Sequence, residues 1–230
     1  MKIAIMGAMR EEIEPILNTL GEYTSEEYAG NVFYRAEYAG HELVIAYSKI
    51  GKVFSAITAS VMLERYGAKA LLFSGVAGGI SKDLRIGDLI MASALCQHDV
   101  DITAFGHPDG FIPESSVMIE TDDDLRSLAS EIAIDMGVEL YEGIIATGDQ
   151  FVASSERKGW IEKTFNADAL EMEGASVACV CHNFGVPFFV LRAISDSADG
   201  SADMDFDAFL QSSAQVSAKF ILEMVKRIGD

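Results

Sequence analysis

The chain is 230 residues long, half of them hydrophobic, with a mean hydropathy of +0.21, which is ample for one buried α/β core. A formal charge of −19 argues against nucleic-acid binding, because phosphate backbones need clustered Lys and Arg; it also favours a neutral or cationic small substrate over a strongly anionic one. No apolar run is long enough for a bilayer, and the first apolar stretch ends in acidic residues rather than a small-residue cleavage site, so no membrane association and a cytoplasmic location are expected.

Residues 2–7 form a short apolar run ending at Gly7 and read as a buried strand. A helix follows from about Arg10, with Pro15 in its first turns, where a missing N–H is best tolerated. Residues 23–48 hold three strand candidates parted by turn signals at Ala29-Gly30-Asn31 and Ala39-Gly40-His41, a meander that makes the sheet mixed. Residues 52–66 read as a helix closed by Gly67. Residues 69–74 are a strand running into Gly75-Val76-Ala77-Gly78-Gly79, and 88–96 are another. Thr121 opens a helix whose Asp122, Asp123 and Asp124 suit the positive end of the helix dipole.

Residues 143–147 are a strand entering Gly148-Asp149-Gln150-Phe151, and a helix follows over about 155–165. Residues 173–184 are apolar nearly all round and read as a buried helix, stopped by Asn183, Gly185 and Pro187. Residues 188–194 are a fully buried strand. The last helix carries the stripe Phe206, Phe209, Leu210, Ala214, Phe220, Ile221, Met224, Val225 and Ile228. These elements predict a single domain over 1–230, a three-layer α/β/α sandwich on a twisted mixed sheet. Cys96, Cys179 and Cys181 read as reduced thiols; Cys179 and Cys181 point to nearly opposite sides of their helix, so with His182 they make no metal site. No cofactor or metal is expected.

Chemistry in such a sheet collects at the carboxyl ends of strands. Polar residues stand there at Glu11-Glu12, at the glycine segment 75–79, at 149–151 and at Ser195-Asp196; Glu171-Met172-Glu173 precedes a buried helix. The glycine segment lacks the Gly-Lys-Ser/Thr ending of a phosphate loop and reads first as a tight strand exit, with close backbone approach to a sugar or base as its functional variant. Helix capping by Glu173 accounts for one carboxylate of Glu171-Met172-Glu173 but not both. Asp196 ends one of the most apolar strands, and burial is what gives a carboxyl group the proton affinity of a general acid. In His98-Asp99-Val100-Asp101 strand alternation splits the possible ligands, so this stretch reads as a loop near the site.

Taken together, these segments resemble the 5′-methylthioadenosine/S-adenosylhomocysteine nucleosidases of the nucleoside phosphorylase–hydrolase group. The match runs from Met1 to the final helix through Gly7-Ala8-Met9 with Glu11-Glu12, Ile50-Gly51-Lys52-Val53, Ala77-Gly78-Gly79 and Asp101-Ile102-Thr103-Ala104-Phe105. It continues through Gly148-Asp149-Gln150-Phe151, Glu171-Met172-Glu173, Arg192-Ala193-Ile194-Ser195-Asp196 and Phe206-Asp207. The resemblance implies hydrolysis of an N-glycosidic bond that releases adenine from 5′-methylthioadenosine, S-adenosylhomocysteine and 5′-deoxyadenosine. It makes Glu12 the residue that orients and deprotonates water, Glu173 the grip on a ribose hydroxyl and Asp196 the proton donor to the leaving base. Phe151 and Val152 match the base-binding segment, Met172 lies against the sugar, and Met9, Ile50 and Phe206 match the pocket for the sugar and its 5′-thioether. Val76, Ala77, Gly78, Arg192 and Ser195 belong to the same substrate-binding set. Phe105 and Pro113 match a loop that reaches a neighbouring subunit's site, which implies a homodimer.

The chain departs from the family pattern at Val76, where many members carry Ser, and at Arg10, where an acidic residue is common. A subset of the family cleaves 6-amino-6-deoxyfutalosine in a menaquinone route, and its larger, carboxylate-bearing 5′ group needs more room or a cation; both departures leave that activity open. A phosphorylase of the same fold would set phosphate against Glu12, a repulsion of ~4 kcal/mol per charge pair at about 4 Å and an effective dielectric near 20. A non-catalytic nucleoside sensor would not need all three carboxylates.

Overall fold

A computed structural model describes residues 1–196 and 206–229. In β1 (Lys2–Gly7), Ala4 and Met6 face one side and Ile3 and Ile5 the other, and all four are buried, so a period of two is hidden inside a continuous apolar run. After α1 (Arg10–Leu20) the chain makes the antiparallel meander β2 (Thr24–Tyr28), β3 (Asn31–Tyr38) and β4 (His41–Tyr47). Its two hairpin turns place Ala29 (φ 49°), Gly30 (φ 74°), Ala39 (φ 51°) and Gly40 (φ 78°) in the left-handed region, which matches the turn to the strand twist. The next elements are α2 (Lys52–Glu64), β5 (Ala70–Gly79), β6 (Leu89–Gln97), β7 (Ile119–Glu120) and α3 (Asp123–Met136). The chain ends with β8 (Leu140–Thr147), α4 (Ser155–Phe165), β9 (Ala169–Glu171), α5 (Gly174–Phe184), β10 (Phe188–Asp196) and α6 (Phe206–Arg227).

The sheet is mixed and runs β10-β6-β8-β9-β5-β1-β4-β3-β2, with β7 on β6. Because β5 also pairs with β10, the strands β5, β10, β6, β8 and β9 close into a ring from which β1, β4, β3 and β2 extend. Helices cover both faces: α2 and α5 pack over Ala4, Met6, Leu71 and Phe73, while α1, α3 and α6 pack over Ile3, Ile5, Leu72 and Phe189. A smaller cluster around Ile161, Phe165 and Leu170 seats α4. The three-layer expectation therefore describes the molecule, with ring closure as a refinement.

Three expected boundaries differ for physical reasons. The Gly75–Gly79 segment is not a strand exit but the second half of β5, paired with β10 and β9. The residues Ser195 and Asp196 lie within β10 rather than beyond it. The helix expected from Thr121 starts at Asp123, because the Asp122 side chain accepts the Leu125 N–H at 3.0 Å and acts as the cap. The two- and three-residue strands β7 and β9 carry no periodicity of their own and exist only through their pairing.

Candidate active site

The carboxyl ends of β1, β5, β9 and β10 meet the segments after β4 and β8 around a cavity of about 290 Å³. Its walls are apolar except for a few groups, chiefly Glu12, Glu171, Glu173, Ser195 and Asp196. Met9, Ile50, Val76, Ala77, Gly78, Phe151, Val152 and Met172 line it as well, as do Ala8, Gln150 and Leu170, to which no substrate role was assigned from the sequence.

Glu12 sits in the first turn of α1 and is only 4 % exposed. Its Oε2 accepts the N–H groups of Ala8 at 2.6 Å and Met9 at 2.9 Å, an arrangement that also caps the helix. Oε1 is held more loosely, by the Val76 N–H at 3.3 Å. Burial raises the proton affinity of Glu12, and the Met9 N–H, the charge of Arg192 and the other two N–H groups oppose that rise. The result is a carboxyl group on the cavity wall with one oxygen fixed by two N–H groups and the other held by a single long bond.

Glycines make the space for it. A Cβ on Gly75 would lie 2.9 Å from Glu12 Oε1 and 3.3 Å from Arg192 Nη1, and one on Gly7 would lie 3.0 Å from Glu12 Cβ. The glycine at 75 thus serves close approach by a carboxylate and a guanidinium, not a phosphate cradle or a turn.

Glu171 and Glu173 divide their tasks differently from the sequence expectation. Glu171 ends β9, and its Oε2 accepts the N–H of Glu173 at 3.0 Å and of Gly174 at 2.7 Å, so it is Glu171, not Glu173, that caps α5. The same oxygen takes Arg192 Nη2 at 2.8 Å, and Oε1 takes the Thr147 hydroxyl at 2.5 Å. Glu173 instead caps a different helix: its Oε1 accepts the Gly51 N–H at 2.8 Å, at the start of α2. Burial, reinforced by the negative charge of Glu171, pushes the Glu173 carboxyl up to about 8.

The proton that Glu173 holds has a consequence for stability. Between the ordinary carboxyl value of 4.5 and about 8, the folded chain keeps a proton that the unfolded chain has released. Stability therefore falls as pH rises through that window, by roughly 1.4 kcal/mol per unit at most. Thermal melts should show Tm declining between about pH 4.5 and about pH 8, with Glu173→Gln flattening the decline. Equal slopes in the two proteins would exclude Glu173 as its source.

Asp196 reaches the cavity through a β-bulge. In the β10–β5 register Ile194 pairs with Ala77 and Asp196 with Gly78, so Ser195 is the extra residue. A bulge re-aims side chains, and here both Ser195 and Asp196 border the cavity instead of alternating across the strand. The Ser195 hydroxyl donates to Asp196 Oδ2 at 2.8 Å and fixes its orientation.

One of the expected substrate contacts, Arg192, lies behind the cavity wall. It is 2 % exposed and bonded to Glu171 and to the carbonyls of Leu191 (3.1 Å) and Phe73 (3.4 Å), with its guanidinium 4.1 Å from the Phe73 ring centre. Its alternation in β10 turns it inward, so it acts on Glu12 and Glu173 through charge rather than on a ligand. Phe105, 82 % exposed, and the exposed Pro113 do not border the cavity of their own chain. The Phe206 and Phe209 side chains lie outside the described residues.

The family model of the Phosphorylase superfamily matches residues 2–226. A relative from Campylobacter jejuni named aminodeoxyfutalosine nucleosidase is 55 % identical over 228 residues, covering 99 % of this chain and 100 % of its own. A relative from Actinobacillus succinogenes named 5′-methylthioadenosine/S-adenosylhomocysteine nucleosidase is 38 % identical over 229 residues, covering 99 % and 100 %. A crystal structure of the Campylobacter jejuni 5′-methylthioadenosine/S-adenosyl homocysteine nucleosidase superposes with a TM-score of 0.98 at 55 % identity, covering 99 % of this chain and 100 % of that one. The chain belongs to the Phosphorylase superfamily, among its 5′-methylthioadenosine/S-adenosylhomocysteine and aminodeoxyfutalosine nucleosidases.

Proposed function

We propose that the chain, as one catalytic domain over residues 1–230, hydrolyses the N-glycosidic bond of 5′-substituted adenine nucleosides, releasing adenine and the 5-substituted ribose. The observation that carries this reading is the placement of Glu12, Glu173 and Asp196 on one small apolar cavity, each on a different element. Cleavage leaves positive charge on the sugar and negative charge on the base. Asp196 supplies the proton to the departing purine, with Ser195 holding the carboxyl group in place. Glu12, with Oε2 immobilised and its proton affinity raised, takes the proton from water at the face opposite the base. Glu173 binds a ribose hydroxyl, and Met172 and Met9 pack on the sugar. The ring of Phe151, 77 % exposed at the rim, stacks on the base, and Val152 closes the wall behind it.

Among the described residues no Lys or Arg lines the cavity, while four carboxyl residues do: Glu12, Glu171, Glu173 and Asp196. Phosphate would meet repulsion with no cation on the cavity wall to bind it, which favours water as the nucleophile over a phosphorylase reaction. Two substrate classes fall within the proposed range: 5′-methylthioadenosine with S-adenosylhomocysteine and 5′-deoxyadenosine, and aminodeoxyfutalosine. The second gains weight from the higher identity to the relative that bears its name. Competition among these nucleosides in phosphate-free buffer, with adenine followed by chromatography, tests the proposal. Release from at least one is expected; release from none, or only on adding phosphate, contradicts it.

A homodimer is part of the proposal. Val53, Phe54 and Ile57 expose an apolar face on α2 beside Ile50 and Phe151 at the cavity rim, and Phe105 is a further exposed aromatic. A second copy covering that face would bring Phe105 and Pro113 to its neighbour's cavity. No helix among the described residues is long and apolar enough to cross a membrane, and the free thiols of Cys96, Cys179 and Cys181 fit the cytoplasm.

Gly75→Ala should lower kcat/KM by about 100-fold, because a Cβ at 2.9 Å pushes the Glu12 carboxylate aside. The added methyl should cost only ~1–3 kcal/mol of stability. Full activity in a folded Gly75→Ala protein would show that Glu12 is not position-critical.

A further inference from the structure

Four hydrogen bonds join three segments that are far apart in sequence. Lys52 Nζ donates to Asp99 Oδ1 at 2.6 Å and to Gln97 Oε1 at 3.1 Å. The other Asp99 oxygen, Oδ2, accepts the Asp149 N–H at 2.9 Å. Asp149 Oδ1 in turn accepts the Lys52 N–H at 2.8 Å, which closes the ring. The Lys52 and Asp99 side chains are largely shielded, at 17 % and 15 % exposure, and Asp149 stands at the surface. Gly51 permits the closure: its φ is 99°, and a Cβ there would lie 3.0 Å from Asp149 Oδ1.

Two of the three segments of this ring end at the cavity, and Asp99 ties them together from outside it. Directly before Lys52, the Gly51 N–H holds Glu173 and Ile50 lines the wall; directly after Asp149, Gln150, Phe151 and Val152 line the facing wall. We propose that Lys52, Asp99 and Asp149 are positioning residues, a clamp that fixes the ribose-side wall against the base-side wall and sets the Gly51 anchor of Glu173. The proposal rests on the reading of the cavity as a nucleoside site. The clamp touches neither sugar nor base. It acts because α2 has no side-chain cap of its own at Gly51 and takes its first partners from Asp149 and Glu173. The Gly51 N–H also lowers the proton affinity of Glu173, so loosening the clamp raises it further.

The test uses the full chain with Asp99→Asn, Lys52→Met and Asp149→Ala, the last a surface change that removes one acceptor. Hydrogen exchange should speed up at both 50–53 and 148–152 in every variant. With 5′-methylthioadenosine as probe, KM should rise about tenfold while kcat changes less, as expected from losing a charged hydrogen bond outside the reacting atoms. The limb of the kcat/KM pH profile that belongs to Glu173 should move to higher pH. Combining Asp99→Asn with Lys52→Met should add little to the larger single effect. Exchange that changes in only one of the two segments, or variants that lose Tm with KM and the pH limb unmoved, would overturn the clamp. If wild-type protein releases adenine from none of the nucleosides, the functional reading fails, and the exchange result still decides whether the two walls are joined.

Discussion

Asp196→Asn should abolish adenine release, with kcat down by ~10²–10⁴-fold, while nucleoside binding stays within a few fold of wild type. Asparagine keeps an oxygen for the Ser195 hydroxyl, which now donates to Asp196 Oδ2 at 2.8 Å, so orientation survives and only the transferable proton is lost. Glu12→Gln should behave alike for a different reason. Its amide oxygen can take over the Ala8 and Met9 N–H groups at 2.6 and 2.9 Å, but the amide nitrogen then replaces the oxygen that would accept water's proton. Single-turnover kinetics beside calorimetric titration of the same nucleoside separate the two effects. Turnover that survives in both variants would refute the assignment of acid and base; binding lost together with turnover would make the carboxylates ligand anchors instead.

The largest loss of stability is expected from Arg192→Met. The Arg192–Glu171 pair, at 2.8 Å, is 2 % and 3 % exposed, and removing the guanidinium strands a buried carboxylate. Breaking such a pair from one side costs ~3–5 kcal/mol, or roughly 6–20 °C in Tm for a domain of this size. Thr147 and the N–H groups of Glu173 and Gly174 still serve Glu171, which places the effect toward the lower half of that range. Arg192 also lowers the proton affinity of both Glu12 and Glu173, so the pH optimum should move upward in the variant. Melting curves and a kcat/KM pH profile check the two halves. A Tm within about 2 °C of wild type would show that the pair contributes little.

The legible parts of this molecule were those where one segment decides its own structure. β1 (Lys2–Gly7) and α4 (Ser155–Phe165) fall where the sequence put them; an apolar run ending in glycine marks the first, and the Ser154 hydroxyl accepts the Arg157 N–H and starts the second. Gly75–Gly79 misled because glycine marks both turns and close approach, and only the folded chain shows Glu12 and Arg192 pressing on Gly75. The ring closure of the sheet depends on β5 pairing with β10 and β9, contacts that no local pattern encodes.

The site divides in the same way. Glu12, Glu173 and Asp196 stood out because carboxylates next to apolar runs need a reason, and the family motifs proposed one. What each carboxylate touches was not legible. Glu171 and Glu173 are two residues apart, yet a strand end and a helix start between them send one to Arg192 and the other to Gly51. Motif adjacency put Arg192 on the substrate, whereas strand alternation turns it behind the wall. Asp149 and Lys52 lay inside quoted motifs without a task, because their partners are each other and Asp99.

Hydrolysis by water activated at Glu12 is the central claim, and the oxygen it transfers can be followed. Wild-type protein incubated with 5′-methylthioadenosine in ¹⁸O-water without phosphate should yield adenine and a methylthioribose carrying one ¹⁸O at the anomeric carbon, after correction for exchange of the free sugar. Adenine release that requires phosphate and leaves the label out of the sugar would contradict it.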